Sequence, residues 1–167
     1  IFRSGSYNTS LGAYSGYRAV DSEKRVMIGY KAGYYATGSY NTFVGAEAGY
    51  GGTTSAPYSS GENNVAVGFD ALKVFTTGYS NTVIGKGAGD AINTGYNNSI
   101  MGESAGTSLT TGFGNVIIGR VAAYASTDVD KTVIIGEQAA YTGNMTSDAD
   151  GTVSIGSGAG KNITSGI

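Results

Sequence analysis

Short apolar bursts recur along the chain, and each ends at a glycine that is followed by small and polar residues. "NTVIG" at positions 81–85 returns as "NSIMG" at positions 98–102, seventeen residues later. The glycine after each burst serves as an anchor, and there are nine: Gly12, Gly29, Gly45, Gly68, Gly85, Gly102, Gly119, Gly136 and Gly156. Successive anchors are 17, 16, 23, 17, 17, 17, 17 and 20 residues apart. Self-similarity at such a period is typical of a solenoid.

Four columns of the repeat are apolar or small. The residue before each anchor is aliphatic in every copy: Leu11, Ile28, Val44, Val67, Ile84, Met101, Ile118, Ile135 and Ile155. We expect this column to face a continuous core. Three residues after the anchor stands alanine, or Ser15 in the first copy, and the next residue is Gly or Ala except at Leu72. Seven residues after the anchor, a second apolar column contains Phe75, Ile92, Leu109 and Ile163.

Each coil is therefore predicted to hold a short strand, a tight turn, a second short strand and a glycine turn. Seventeen residues are too few for two helices, and strands this short pair with their equivalents in the neighbouring coils. The sequence predicts an all-β fold, a parallel β-solenoid or β-roll of about nine 17-residue coils, in one domain over residues 1–167. An antiparallel sandwich is the competing fold, but it would not require one residue type in the same column nine times.

The two long spacings indicate insertions at residues 51–62 and 144–151, with about six and three extra residues. Insertions in a solenoid belong in loops on one face. We expect the 51–62 insertion to be a recognition loop, because it interrupts the pattern at length. Both ends of the sequence fall at the same phase of the repeat, which favours a segment of a longer fibre.

The column two residues before the anchor is also mostly apolar, and it should lie on the opposite face of the strand. It contains Met27, Phe43, Ala66, Val83, Ile100, Ile117 and Ile134, with Ser10 and Ser154 in the outermost copies. A strand that is apolar on both faces would be an aggregation liability in water. The pattern therefore predicts that other copies of the same chain cover the second face.

Four successive anchors are followed by charges of alternating sign, Lys86, Glu103, Arg120 and Glu137. In stacked coils these side chains would be neighbours one coil apart. The alternative interpretation is chance on a solvated face.

Composition limits the chemistry that the chain can perform. There is no cysteine and no histidine, so thiolate or imidazole metal sites and the common activated nucleophiles cannot be built. The ten basic residues are scattered and the net charge is −2, which disfavours nucleic acid. No apolar run approaches the roughly 20 residues of a membrane helix. We expect no catalytic activity and no cofactor, and we assign no catalytic, cofactor-binding or metal-binding residue.

Acidic turns offer one candidate site. Asp128 and Asp130 stand eight and six residues before Gly136, and Asp148 and Asp150 stand equally far before Gly156. Stacked coils would gather these carboxylates, an arrangement that Ca²⁺ can relieve. The alternative is a solvated loop aided by Lys131.

Aromatic columns offer a second candidate. One contains Tyr79, Tyr96 and Phe113, and another contains Tyr17, Tyr34, Tyr50, Tyr124 and Tyr141. Such rows either stack on sugars of a host-surface glycan or stack on one another.

Two further patterns suggest other functions. "GSGAGKN" at 156–162 and "GKGAGD" at 85–90 resemble phosphate loops but lack the required residues, and the repeat explains their glycines. Thr77, Thr94 and Thr111 form a regular column, as in an ice-binding solenoid, with an imperfect companion row at Thr76, Asn93 and Thr110.

The unit "N-T-x-V/I-G-x-x-A-G…T-G-Y-x-N", which covers Ser4 to Gly166, resembles the repeats of trimeric phage tail fibres and of trimeric autotransporter adhesin heads. The spacing from Asn81 to Gly85 favours the tail fibres. The resemblance implies a left-handed, trimeric β-roll on a virion or outside the cell, with structural and adhesive roles in host attachment. It implies a homotrimer, and a host-surface glycan or protein as the partner.

Overall fold

One three-residue strand recurs in every coil. The computed structural model describes residues 5–18, 21–52 and 58–164. The strands are β1 (Thr9–Leu11), β2 (Val26–Ile28), β3 (Thr42–Val44), β4 (Val65–Val67), β5 (Thr82–Ile84), β6 (Ser99–Met101), β7 (Val116–Ile118), β8 (Val133–Ile135) and β9 (Val153–Ile155). A single 3₁₀ turn, Ser147–Ala149, lies between β8 and β9. We number the coils one to nine after their strands.

The nine strands form one sheet in sequence order, and every neighbouring pair is parallel. Val83 pairs with Ile100, and Ile100 pairs with Ile117, so equivalent positions lie directly above one another. The chain therefore climbs one strand per coil through about eight turns. This confirms the predicted parallel β-solenoid.

The prediction of a second strand in each coil is wrong. In that segment backbone bonds still join successive coils, as from Asn93 N to Thr110 O at 2.9 Å and from Thr110 N to Thr127 O at 2.7 Å. Only one bridge, between Ala36 and Ser59, appears there among the described residues. The segment is too short to form a ladder because a turn follows almost at once.

The two faces of the strands are the reverse of the prediction. The middle residue of each strand points inward, and those of β2 to β8 are at most 1% exposed. The aliphatic column before the anchors points outward instead, with Met101 48% and Ile118 37% exposed. Side chains along a strand point to alternate faces, so residues two positions apart share a face. The buried asparagine two positions before the middle residue therefore lies on the same, inward face as that residue.

The rest of the core follows the predicted columns. The alanines three residues after the anchors are buried in coils two to eight, and Phe75, Ile92 and Leu109 are fully buried with Ile163 packed against them. Leu72, the exception in the small column, shares the fourth coil with Ala66, the smallest apolar residue of the inward column.

An asparagine ladder runs through the interior, four residues before the anchors. Asn98 Nδ2 donates to Asn81 Oδ1 at 3.0 Å and to Gly112 O at 2.8 Å. The same bonds join the coils on either side, and the buried members are Asn41, Asn64, Asn81, Asn98 and Asn115. The ladder satisfies backbone groups that the glycine turns leave inside the coil.

Arg25 takes the asparagine position in the second coil and is 1% exposed. Its Nε donates to Asn8 Oδ1 at 3.3 Å and its Nη1 donates to Ala36 O at 3.1 Å. Burial lowers the pKa of Arg25 to about 10. The long side chain of Arg25 fills space opposite the small Ala36. The positions equivalent to Ala36 in coils four to six hold Phe75, Ile92 and Leu109.

The two insertions differ in structure. In the first insertion, Gly52 N donates to Phe75 O at 2.8 Å and Ser59 N donates to Tyr35 O at 3.1 Å, so both residues bond to neighbouring coils. Residues 53–57 of the predicted recognition loop lie outside the described ranges. The 144–151 insertion folds back onto the coil, with Met145 and Ala149 buried.

Candidate binding surfaces

The outward face of the sheet is a continuous apolar strip, which we call the outward ribbon. Its main column is the aliphatic residue before each anchor, and Leu11 and Ile155 at its ends are 67% and 63% exposed. Its second column, at the first residue of each strand, holds Val, Thr or Ser. Monomeric proteins rarely expose apolar strips of this length, so the ribbon is a candidate interface.

Charged pairs border the outward ribbon. Lys86 Nζ lies 3.3 Å from Glu103 Oε1, and Arg120 Nη2 bonds to Glu137 Oε1. The predicted one-coil neighbours are therefore confirmed, although the bonds form two pairs. The hydrogen bond to Glu137 is the main cause of the raised pKa of Arg120.

A cluster of aromatic rings covers the turns of the first three coils. We call it the tyrosine cluster: Tyr14, Tyr17, Tyr30, Tyr34, Tyr35, Tyr50 and Tyr58. Tyr34 lies at its centre, stacked between Tyr17 at 4.9 Å and Tyr50 at 5.4 Å between ring centroids. The column prediction placed Tyr17, Tyr34 and Tyr50 together, and it missed the other four rings. The density of tyrosine was the available signal, since nine of the 13 precede residue 59.

Two cations lie within the tyrosine cluster. The guanidinium carbon of Arg18 is 5.1 Å from the Tyr17 ring centroid and 5.6 Å from that of Tyr58. Lys31 Nζ is 5.1 Å from the Tyr30 centroid, and its hydrogen bond with Tyr30 is the main cause of its raised pKa. Such cation–π geometry joins the charges to the rings and keeps them at the surface.

The second aromatic column is a parallel stack. Tyr79 and Tyr96 are 4.9 Å apart at 7° between their planes, and Tyr96 and Phe113 are 4.8 Å apart at 3°. Lys131 Nζ lies 5.4 Å from the Phe113 centroid. Rings stacked in this way cover one another's faces and present their edges outward, so they are poor platforms for a sugar.

The two threonine rows differ in exposure and in the hydrogen bonds that their hydroxyls make. Thr77, Thr94 and Thr111 are exposed in one column, as predicted. In the companion row, Thr76 Oγ1 bonds to Asn93 Oδ1 and Thr110 Oγ1 donates to Thr127 O at 3.0 Å. The companion hydroxyls therefore join neighbouring coils.

Two of the four aspartates in the acidic turns accept hydrogen bonds from the backbone through their carboxylates. Phe113 N donates to Asp130 Oδ1 at 2.9 Å, and Asp130 N donates to Asp150 Oδ1 at 2.8 Å. No three acidic side chains gather at a candidate metal position within the described ranges. Burial is the main cause of the raised pKa of Asp130. The four aspartates proposed for Ca²⁺, which include Asp128 and Asp148, are thus not brought together as a cluster.

A second group of charges lies on the turns beside the tyrosine cluster. Lys73 Nζ is 2.9 Å from Glu47 Oε2 and 3.1 Å from Asp70 Oδ1. Asp90 lies in the next coil, and its pKa is raised by burial and then by the nearby Asp70. This group is an ionic network across three coils.

Comparison with protein-family models, with curated proteins and with solved structures finds no match for this chain. Across the described residues there is no helix of the length and apolarity that crossing a bilayer requires.

Proposed function

We propose that the chain is a structural and adhesive segment of a trimeric fibre, carried on a virion or at a cell surface, and that it has no catalytic activity. The outward ribbon is the observation that supports this proposal most strongly. In the single chain the aliphatic side chains of this column reach the surface in all nine coils, exposed at Leu11, Met101, Ile118 and Ile155 and partly buried in the other five. A continuous apolar surface of this kind is what an obligate interface between copies requires.

The coil sequence also supports self-association. Along the ribbon, the aliphatic column is continuous from Leu11 to Ile155, so every coil contributes apolar surface. The bordering pairs Lys86–Glu103 and Arg120–Glu137 limit the apolar strip on one side. The number three and the location follow from the resemblance to tail-fibre and adhesin repeats.

The mechanism is mechanical. Parallel coils that share a sheet, an asparagine ladder and a stacked core form a cooperative rod. Such a rod holds surface groups at fixed heights, and the tyrosine cluster at the root of the 51–62 insertion is the group best suited to contact a host surface.

Charge placed on the outward ribbon tests the proposal. Met101→Glu and Ile118→Glu should convert a trimer into monomers in sedimentation velocity, because a buried unpaired carboxylate is costly. Thr77→Glu, exposed on another part of the coil, is the matched control and should stay trimeric. Circular dichroism should show the same β signal for all variants. A wild-type monomer, or variants that sediment like the wild type, would contradict the proposal.

A further inference from the structure

The tyrosine cluster is not required by the fold. The same turn forms in the fifth and sixth coils, where Gly87 and Ser104 take the position of Tyr14, and Asp90 and Thr107 take that of Tyr17. Those coils keep the same strand register and the same anchor geometry. The rings of the first three coils therefore add a surface that the repeat does not need.

The cluster has an inner and an outer layer. Tyr34, Tyr35, Tyr50 and Tyr58 are half-buried, whereas Tyr14, Tyr17 and Tyr30 are 55%, 45% and 47% exposed. Tyr14 meets Tyr17 and Tyr30 edge to face, at 76° and 78°. The outer layer therefore differs from the parallel stack at Tyr79, although Tyr17 also stacks on the inner ring of Tyr34 at 4.9 Å. Rigid, amphipathic rings of this kind bind at a low cost in conformational entropy.

The charge on this surface is positive. Among the described residues, neither Arg18 nor Lys31 belongs to any of the four ion pairs. Glu47 lies near Lys31 and contributes to its pKa, but its carboxylate is bonded to Lys73 at 2.9 Å. Lys24, Lys131 and Lys161 are also outside these pairs, but each lies beside a single ring. Arg18 and Lys31 differ from them because both lie on the same cluster of rings.

We propose that the tyrosine cluster, with Arg18 and Lys31, is a binding site for an acidic glycan. The pyranose C–H face packs on exposed tyrosine, the tyrosine hydroxyls bond to sugar hydroxyls, and the two cations pair with carboxylates of the glycan. This inference rests on the proposed adhesive function and names the ligand class for it. A neutral glycan would leave both cations unused, and a flat apolar protein partner would leave the hydroxyls unsatisfied.

Binding is measured by titration calorimetry and by affinity electrophoresis with three polymers: polygalacturonate, polysialic acid and neutral dextran. The wild-type chain should bind at least one acidic polymer and not dextran, and binding should weaken with added salt. The double variant Tyr14→Ala/Tyr30→Ala and the double variant Arg18→Gln/Lys31→Gln should each bind at least about tenfold more weakly.

Matched controls are Tyr79→Ala, which removes an exposed ring from the parallel stack, and Lys86→Gln, which removes an exposed cation elsewhere. Both should bind like the wild type. Absence of binding to both acidic polymers, equal binding to dextran, or equal loss in the control variants would overturn the inference. Sedimentation of the same samples distinguishes failure of this site from failure of the proposed function. A trimer that binds no acidic glycan would refute the glycan site and would not contradict the fibre proposal.

Discussion

The side-chain amide of Asn98 donates to Asn81 Oδ1 at 3.0 Å, one coil away, and its own Oδ1 accepts from Asn115 N at 3.1 Å. One residue type thus joins three coils in the interior. Asn98→Ala would leave the Asn115 N–H and the Gly112 carbonyl without this partner. We expect a loss of about 2–5 kcal/mol in the free energy of unfolding, measured by denaturant titration.

Ser99→Ala is the control for the ladder, since Ser99 is the next residue and is exposed. It should change stability by no more than about 0.5 kcal/mol. Equal effects of the two substitutions would show that the ladder does not stabilise the coils.

The pair Ala66 and Leu72 tests how the core compensates for size. Position 72 should pack on position 66, because the equivalent Gly106 has Ile100 Cδ1 only 3.2 Å from where its Cβ would lie. Leu72→Ala should cost about 2–5 kcal/mol. The double variant Ala66→Ile/Leu72→Gly reproduces the Ile100–Gly106 pair, and thermal unfolding should show it to be more stable than Leu72→Gly alone. A double variant less stable than that single variant would contradict this packing.

The anchor glycines stack so closely that no side chain fits between them. At Gly85 the backbone φ is 136°, and a Cβ would lie 2.7 Å from the carbonyl carbon of Gly102. At Gly156 the φ is 126°, but the nearest atom would be 3.8 Å away. Gly85→Ala should therefore destabilise the fold by about 1–3 kcal/mol more than Gly156→Ala in chemical denaturation. Equal losses would mean that backbone strain alone selects glycine.

The raised pKa of Asp90 predicts that the stability of the fold depends on pH. Burial, aided by Asp70, raises its pKa in the folded chain, so the folded state binds the proton more tightly than the unfolded state does. The wild type should then lose stability relative to Asp90→Asn as pH rises from the unfolded pKa, about 3.9, through the folded pKa. Denaturant titrations of both proteins between about pH 3 and pH 7 measure this difference. A difference that shrinks with rising pH would contradict the assignment.

The columns of the repeat predicted the solenoid and the register, because stacking in translation requires the same residue at the same position in each coil. They did not predict which face is inside. The aliphatic column that ends in Ile155 predicts a core face, yet it lies on the outer face of the sheet. Under the proposed self-association, a surface that packs on other copies would require aliphatic residues just as a core does. The polar interior ladder at Asn81 and Asn98 was the signal for the correct phase.

The candidate surfaces were predicted less completely. Column positions placed Tyr79 on Tyr96 and Tyr17 on Tyr34, because equivalent residues must stack at the coil spacing. Tyr35 and Tyr58 occupy different columns, and their rings lie 5.8 Å apart because Tyr58 belongs to the 51–62 insertion, which has no equivalent in the other coils. The repeat pattern cannot predict contacts that are made by an insertion, because the inserted residues have no equivalents in the other coils.

Native mass spectrometry of the wild-type chain tests the central proposal most directly, because it counts the copies of the chain in each particle. The account predicts a particle of three chains, each of 16.9 kDa, with no stable monomer at micromolar concentration. A stable monomer of 16.9 kDa would contradict it.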